Sequence, residues 1–259
     1  MARRRLLVVL LAALCLSLAG SVVTHAAFVA QTSNSGNTFT AGSWPAPITY
    51  GGTGPAAART SSGTMTVDYP AATSTSDGLL LVEVNAANQN ITTPSGWSLL
   101  ADQATSSPSQ MRFTVWGKSA GNESSVDLDV NTNSSGATAW VVRYYAPDGY
   151  PPSLRLATAT VRQGLAGATA SLTPTPDVTT NADFATAVSI VAVRDANTLG
   201  LSAPRTFSLR NTEQGPLGVA ALGVADAFVP RTGSTPASPT WTQSGTPAQW
   251  AWVTFAVAQ

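Results

Sequence analysis

The chain has 259 residues, of which 44% are hydrophobic and only 10% charged, with 13 basic residues against 13 acidic, one Cys and one His. Balanced, sparse charge gives no electrostatic footprint for nucleic acid. A lone Cys excludes a disulfide framework within the chain.

Arg3, Arg4 and Arg5 form a basic n-region before an apolar run of 18 residues, Leu6 to Val23. Thr24, His25 and Ala26 then place small residues at the positions a signal peptidase reads. Residues 1–26 read as a secretory signal peptide, cleaved after Ala26 or Ala27. Retention as an N-terminal anchor is the alternative, since such a run reaches the lower limit for a membrane span. Cleavage removes Cys15, His25 and three arginines, leaving ten basic residues against 13 acidic, a net charge near −3. Thiol nucleophiles, imidazole bases and most zinc or copper sites go with them, so no cofactor and no enzymatic activity are expected. The expected address is secreted or cell-surface-associated, with membrane contact only through an uncleaved signal segment.

The next segment, 27–58, opens with Ala27, Phe28, Val29, Ala30 and Gln31, which are uncharged and β-compatible, followed by a Ser/Asn/Gly hinge. A tethered strand of this kind can add to a neighbour's open sheet edge, where backbone hydrogen bonds supply affinity. It could also cover its own sandwich or stay disordered. The "PAPITYGGTGPAAARTSSG" that follows reads as a surface linker or irregular cover.

From about residue 59 to 259 the chain is a series of short β-patterned runs cut by turn residues: "GLLLVEV", "WSLLAD", "MRFTVWGK", "SVDLDV" and "ATAWVVRYY". A second series follows in the same order: "FATAVSIVAV", "RTFSLR", "PLGVAALGVADAF", "PTWTQ" and "WAWVTFAV". No run keeps a 3.6-residue apolar period, and regularly spaced short strands predict a sandwich or barrel. Aligning the series pairs Pro94 with Pro204 and Trp97 with Phe207, each 110 residues apart. It also pairs Trp116 with Leu222 and Trp140 with Trp252. The expectation is an all-β, double-layered β-sandwich of jelly-roll character, with pseudo-repeated halves at about 60–147 and 154–259; two separate small domains are the alternative.

Two resemblances add to this. "AAFVAQTSNSGNTFTAG", through Phe28, Gly36, Asn37, Phe39, Ala41 and Gly42, resembles the start of TasA/camelysin-type exported proteins, often processed by a SipW-like peptidase. "TPSGWSLLADQATSSPSQMRFTVWGKSAG", through Pro94, Gly96, Trp97, Trp116, Lys118 and Ala120, resembles jelly-roll repeats of phage tail and bacterial surface proteins. The first implies export. The second implies a sandwich that adheres or assembles, without catalytic residues.

Three sets of residues are candidate sites. In the last strand Trp250, Trp252 and Thr254 share one face and Ala251, Val253, Phe255 and Val257 the other. The second face is the more apolar and is the expected core, which turns Trp250 and Trp252 outward as a stacking platform for a surface glycan. Comparison with the strand of Trp140 gives the opposite reading, core tryptophan. Asp127, Asp129, Asn131 and Asn133 recur every second residue and could offer oxygens to calcium, but Leu128 and Val130 between them describe a strand with one wet face. Glu83, inside "LLLVEVN", could be an acid with a raised pKa, but its alternation puts it on a polar face. The expected function is a secreted, non-enzymatic structural or adhesive protein of a surface or extracellular matrix, assembling with itself through Ala27 to Gln31. The alternative is a monomeric carbohydrate-binding module using Trp250 and Trp252.

Overall fold

Runs of Val, Ile, Leu and aromatic residues, cut every few positions by Gly, Pro, Asn or Ser, favour extended backbone and tight turns over helix. The computed structural model describes residues 47–258, apart from 76, 88, 90, 105–110, 132–135, 147–154, 157–160, 175–176, 196 and 204–205. The leader, Ala27 to Gln31 and Asn133 lie outside the described residues. The described chain is an all-β sandwich; its only helix is the single turn Pro216–Gly218.

The first half forms an inner antiparallel sheet from β1 (Thr49–Thr53), β8 (Ala137–Tyr145), β4 (Gly78–Asn85), β6 (Arg112–Ser119) and β5 (Ser98–Ala104), in that order, with β2 (Ala57–Arg59) also on β8. The second half forms another from β10 (Arg162–Ala166), β17 (Trp250–Ala258), β12 (Ala185–Arg194), β15 (Ala220–Val229) and β14 (Ser208–Gln214), with β9 (Arg155–Leu156) also on β17. Each half carries a smaller outer sheet: β3 (Gly63–Asp68) with β7 (Ser125–Val130), and β11 (Ser171–Leu172), β16 (Thr240–Gln243) and β13 (Leu199–Ala203).

Three apolar cores separate these four layers. The central one lies between the inner sheets and joins Leu80, Val82, Val84, Phe113, Trp140 and Val142 to Val188, Ile190, Leu222, Val224, Val253 and Phe255. Each outer core fills the space between an inner sheet and its own outer sheet, around Trp97 and Trp116 in the first half and around Trp241, Trp250 and Trp252 in the second. The sandwich is thus doubled: each half is two-layered, and the halves stack back to back through their large sheets. Contacts of β1 with β14 and of β5 with β10 mark the two rims of the stack, so β4 and β12 face one another at its middle. Hydrogen bonds also cross between the halves: Thr186 Oγ1 donates to the Ile48 carbonyl at 2.8 Å, and the Asp102 amide donates to Gln163 Oε1 at 2.9 Å.

Two expectations need correction. The sandwich begins at Thr49, not near residue 59: the stretch read as linker supplies β1 and β2, both hydrogen-bonded to β8. Its glycines hide it as a strand and also permit it, since a Cβ on Gly54 would lie 2.4 Å from the Asp68 carbonyl. The pairing of Trp140 with Trp252 is also out of phase. Trp140 enters the central core and Trp252 an outer one, and a one-residue slip reverses every side chain of a strand. Trp97 and Phe207, in contrast, occupy matching places, each buried in the outer core of its half.

Ile190 stands in the middle of the central layer, paired with Val224 and Val253. Truncating it to Ala should cost about 2–5 kcal/mol. Because tryptophans report from all three cores, fluorescence in a urea titration should show one transition moved to lower urea. Two transitions, one of them unmoved, would mean that the halves fold independently.

Candidate functional site

Trp250 and Trp252 do not face solvent. They are 0% and 6% exposed, so neither offers a ring face to a sugar. The expected outward turn fails because β17 is an inner strand, buried on both sides: Ala251, Val253, Phe255 and Val257 enter the central core, and Trp250 and Trp252 the outer one. The indoles are accommodated by missing side chains. A Cβ on Gly164 would come within 2.8 Å of Trp252, and one on Gly223 within 2.6 Å of Trp241. Their N–H groups are used internally, Trp250 Nε1 to the Thr169 carbonyl at 2.8 Å and Trp241 Nε1 to Ser189 Oγ at 3.2 Å.

Asp127, Asp129 and Asn131 do line one exposed face, but each already has a partner across the β3–β7 pair. Thr66 donates to Asp127 at 2.6 Å, Thr64 to Asp129 at 2.9 Å and Ser62 to Asn131 at 2.9 Å. This is a cross-strand polar ladder of the kind that stabilises an exposed sheet face. Among the described residues no three of His, Cys, Asp and Glu gather as a metal cluster.

An open groove of about 630 Å³ lies at one end of the first half, between loops 70–75 and 121–124 and beside Tyr69. Asp77 shapes it, accepting from the Ser74 amide at 2.7 Å, from Ser74 Oγ at 3.0 Å and from Arg143 Nε. Lys118 sits 5.5 Å from the centre of the Trp97 ring and pairs with Glu123 at 2.6 Å. That hydrogen bond holds the Glu123 carboxyl below its ordinary value, whereas burial, with a smaller push from Glu123, drives the Tyr69 hydroxyl up to about 12. The groove presents hydroxyls and one already paired carboxylate, which is suited to structure or binding rather than to proton transfer.

Glu83 is the second correction at the level of sites. It is 0% exposed, with no hydrogen-bond partner on either oxygen. On β4 it lies between Thr114 and Ala139, on the face that carries Leu79 and Leu81 into the first outer core. Burial pushes its carboxyl well above 4.5; Arg112 pulls it down, Asp102 works against that, and the Asn85 side chain adds a weaker lowering influence without closing a bond. Arg112 itself is held by Asp102. Glu83 is therefore a buried acid raised by desolvation, and the arginine that pulls it down, Arg112, is shared with Asp102.

Sequence reasoning missed a second buried acid, Asp226, in "GVADAFV". Its Oδ1 accepts from Arg210 Nε at 2.7 Å, and it is the one acid on the face that also carries Leu222 and Val224 into the central core. The available signal was the same as for Glu83: a lone acid inside a long apolar run.

The sheet edges also differ. β5 and β14, the counterpart edge strands, each carry a bulge, between Leu99 and Ala101 and between Leu209 and Asn211. The leucine before each bulge is exposed, Leu99 by 52% and Leu209 by 45%. In the outer sheets, β16 lies between β11 and β13, but among the described residues its counterpart β7 pairs with β3 alone.

Glu83 binds its proton more tightly in the folded chain than in the unfolded one. The stability this contributes is fully present below pH 4.5 and is lost as pH rises through the raised folded value. Glu83→Gln keeps the shape without the charge, so thermal melts of the variant should fall less with rising pH than those of the parent chain. Identical pH dependence in the two would show that Glu83 is ionised at no cost.

Comparison of the chain with protein-family models, with curated proteins and with solved structures found no match.

Proposed function

We propose that this is an exported, non-enzymatic structural or adhesive protein of a cell surface or extracellular matrix, and that it assembles when Ala27 to Gln31 adds as a strand to a neighbouring copy. The observation that supports this most is the unequal build of the outer sheets. In the second half β16 is paired on both sides, by β11 and β13. In the first half β7 has β3 on one side and, among the described residues, no strand on the other. Val126, Leu128 and Val130 already pack into the core while Asp127 and Asp129 face water. An arriving strand would find a fixed pleat, six residues long, with one apolar and one wet face.

The incoming segment suits such an edge. Phe28 and Ala30 fall on one face, and Ala27, Val29 and Gln31 on the other, with no charge to desolvate. The inner-sheet edges suit it less. Bulges and charged side chains are devices that block edge-to-edge pairing, and β5 and β14 have both. On β5, moreover, Gln163 already occupies the Asp102 amide.

The test compares the mature chain from Ala27 with a form lacking Ala27 to Thr40, by light scattering and negative-stain microscopy. Large oligomers are expected from the longer form alone. A Val29→Cys, Asp127→Cys double variant of the mature chain should in addition form disulfide-linked multimers under mild oxidation. Oligomers that persist after the deletion, or monomers from both forms, would overturn the reading.

A further inference from the structure

At one rim of the layer between the inner sheets Asp226, Arg210, Tyr144 and Tyr50 meet. Each comes from a different strand. Asp226 lies on β15, Arg210 on the edge strand β14, Tyr144 on β8 and Tyr50 on β1. Arg210 occupies the β14 bulge, where the register shifts between Leu209 and Asn211, and a bulge is a means of re-aiming a side chain. Here it sends the guanidinium inward to Asp226. The Arg210 side chain stays 40% exposed while that of Asp226 is 3% exposed, so the pair reaches from solvent into the core.

We propose that the Arg210–Asp226 pair is an acid-opened latch holding edge strand β14 to the central layer. In the closed state Asp226 Oδ1 accepts from Arg210 Nε and anchors the middle of β14. Beyond that contact β14 is held by its ladder to β15, the only strand hydrogen-bonded to it among the described residues, and by Glu213, which accepts from the Ala56 amide; its side chains are mostly exposed. When Asp226 takes a proton, the charge that holds Arg210 disappears and the guanidinium gains more from water than from a neutral acid.

The groups facing Asp226 set where this happens. Burial raises its carboxyl above 3.8; Arg210 pulls it down most, and Tyr144 less. Tyr144, itself buried, has its hydroxyl pushed well up, and Tyr50 packs edge-on against it at 5.9 Å. Glu213, also on β14, acts on Tyr50. On the other flank β12 places Val188 opposite Asp226; its one ionisable group, Arg194, lies six positions further along, opposite Ala220. Because the folded value is raised, protonation favours the folded chain. That contribution is complete below pH 3.8 and is lost as pH rises through the folded value. Acid therefore frees the edge strand while steadying the core, which separates a latch from ordinary acid unfolding. The device is independent of the assembly reading and survives its failure.

Hydrogen exchange on the full chain, read by mass spectrometry and corrected for intrinsic rates, tests it. Between about pH 7.5 and about pH 4, protection of the Ser208–Gln214 amides should fall by about tenfold, while β12 and β17 keep theirs. Asp226→Asn should show the weak protection at both pH values and melt no lower than the parent chain at neutral pH. Arg210→Gln, altered at a half-exposed site, should likewise lose the pH response in β14. Equal protection of β14 at both pH values in the parent chain would overturn the latch, as would an Arg210→Gln variant that keeps the full response.

Discussion

The architecture depends on one contact: the apolar faces of two inner sheets pressed together. Stacked sheets lie roughly 10 Å apart, and here each inner sheet has a neighbour on both sides. Every residue of β4 and β17, and all but one of β12 and of β15, is buried in consequence. Such strands cannot carry large side chains on both faces throughout, which accounts for their composition. β12 and β15 are rich in Ala and Val, and two of the buried tryptophans are met by a glycine: Gly164 under Trp252 and Gly223 under Trp241. Each fully buried Val, Leu, Ile or Phe in the central layer contributes about 1.5–3 kcal/mol. A chain whose single Cys can form no internal disulfide needs that contribution.

The same double burial decides how much could be read beforehand. Runs such as Gly78–Asn85 and Ala185–Arg194 were legible as strands because only β-structure suits short Val-rich segments between turns. The number of layers was not legible. A strand covered on one side shows period two, as β7 does with its buried valines and exposed aspartates; a strand covered on both sides shows no period. Lacking that signal, the final strand invited a choice between a core face and a wet face; the outward reading of Trp250 and Trp252 was mistaken and the core reading holds, in the outer core rather than the central one. β1 escaped for the opposite reason. Thr49–Thr53 is glycine-rich and half-buried, and its place is set by backbone pairing to β8 rather than by its own side chains.

Buried acids show where local reading stops. Glu83 and Asp226 look alike in sequence, each a single carboxylate in an apolar strand, and both are raised by burial. What separates them is the neighbouring strand. Beside Asp226 an edge-strand bulge swings Arg210 inward. Beside Glu83 the nearest arginine is already engaged by Asp102. Desolvating an ionised carboxylate without a partner is far more costly than keeping it protonated. One site is therefore an acid without a hydrogen-bond partner and the other a bonded pair with an arginine, and only the long-range pairing of strands decides which is which.

Edges complete the argument. The two halves treat their inner-sheet edges alike, with a bulge just after Leu99 and just after Leu209, each two residues beyond a buried aromatic, Trp97 or Phe207. They treat their outer sheets differently. In the second half Leu199–Ala203 forms β13 and covers the far side of β16. The first half has chain at the same distance before its aromatic, residues 89–93, yet Ile91, Thr92 and Thr93 belong to no strand. Thr93 is drawn instead onto the inner sheet, where its hydroxyl accepts from Trp116 Nε1 at 3.2 Å. Leu222, which the sequence alignment set against Trp116, faces the central core, and no indole makes that demand on β13. One tryptophan thus bonds the segment that stands where a third strand would begin, and among the described residues no strand pairs with the far side of β7.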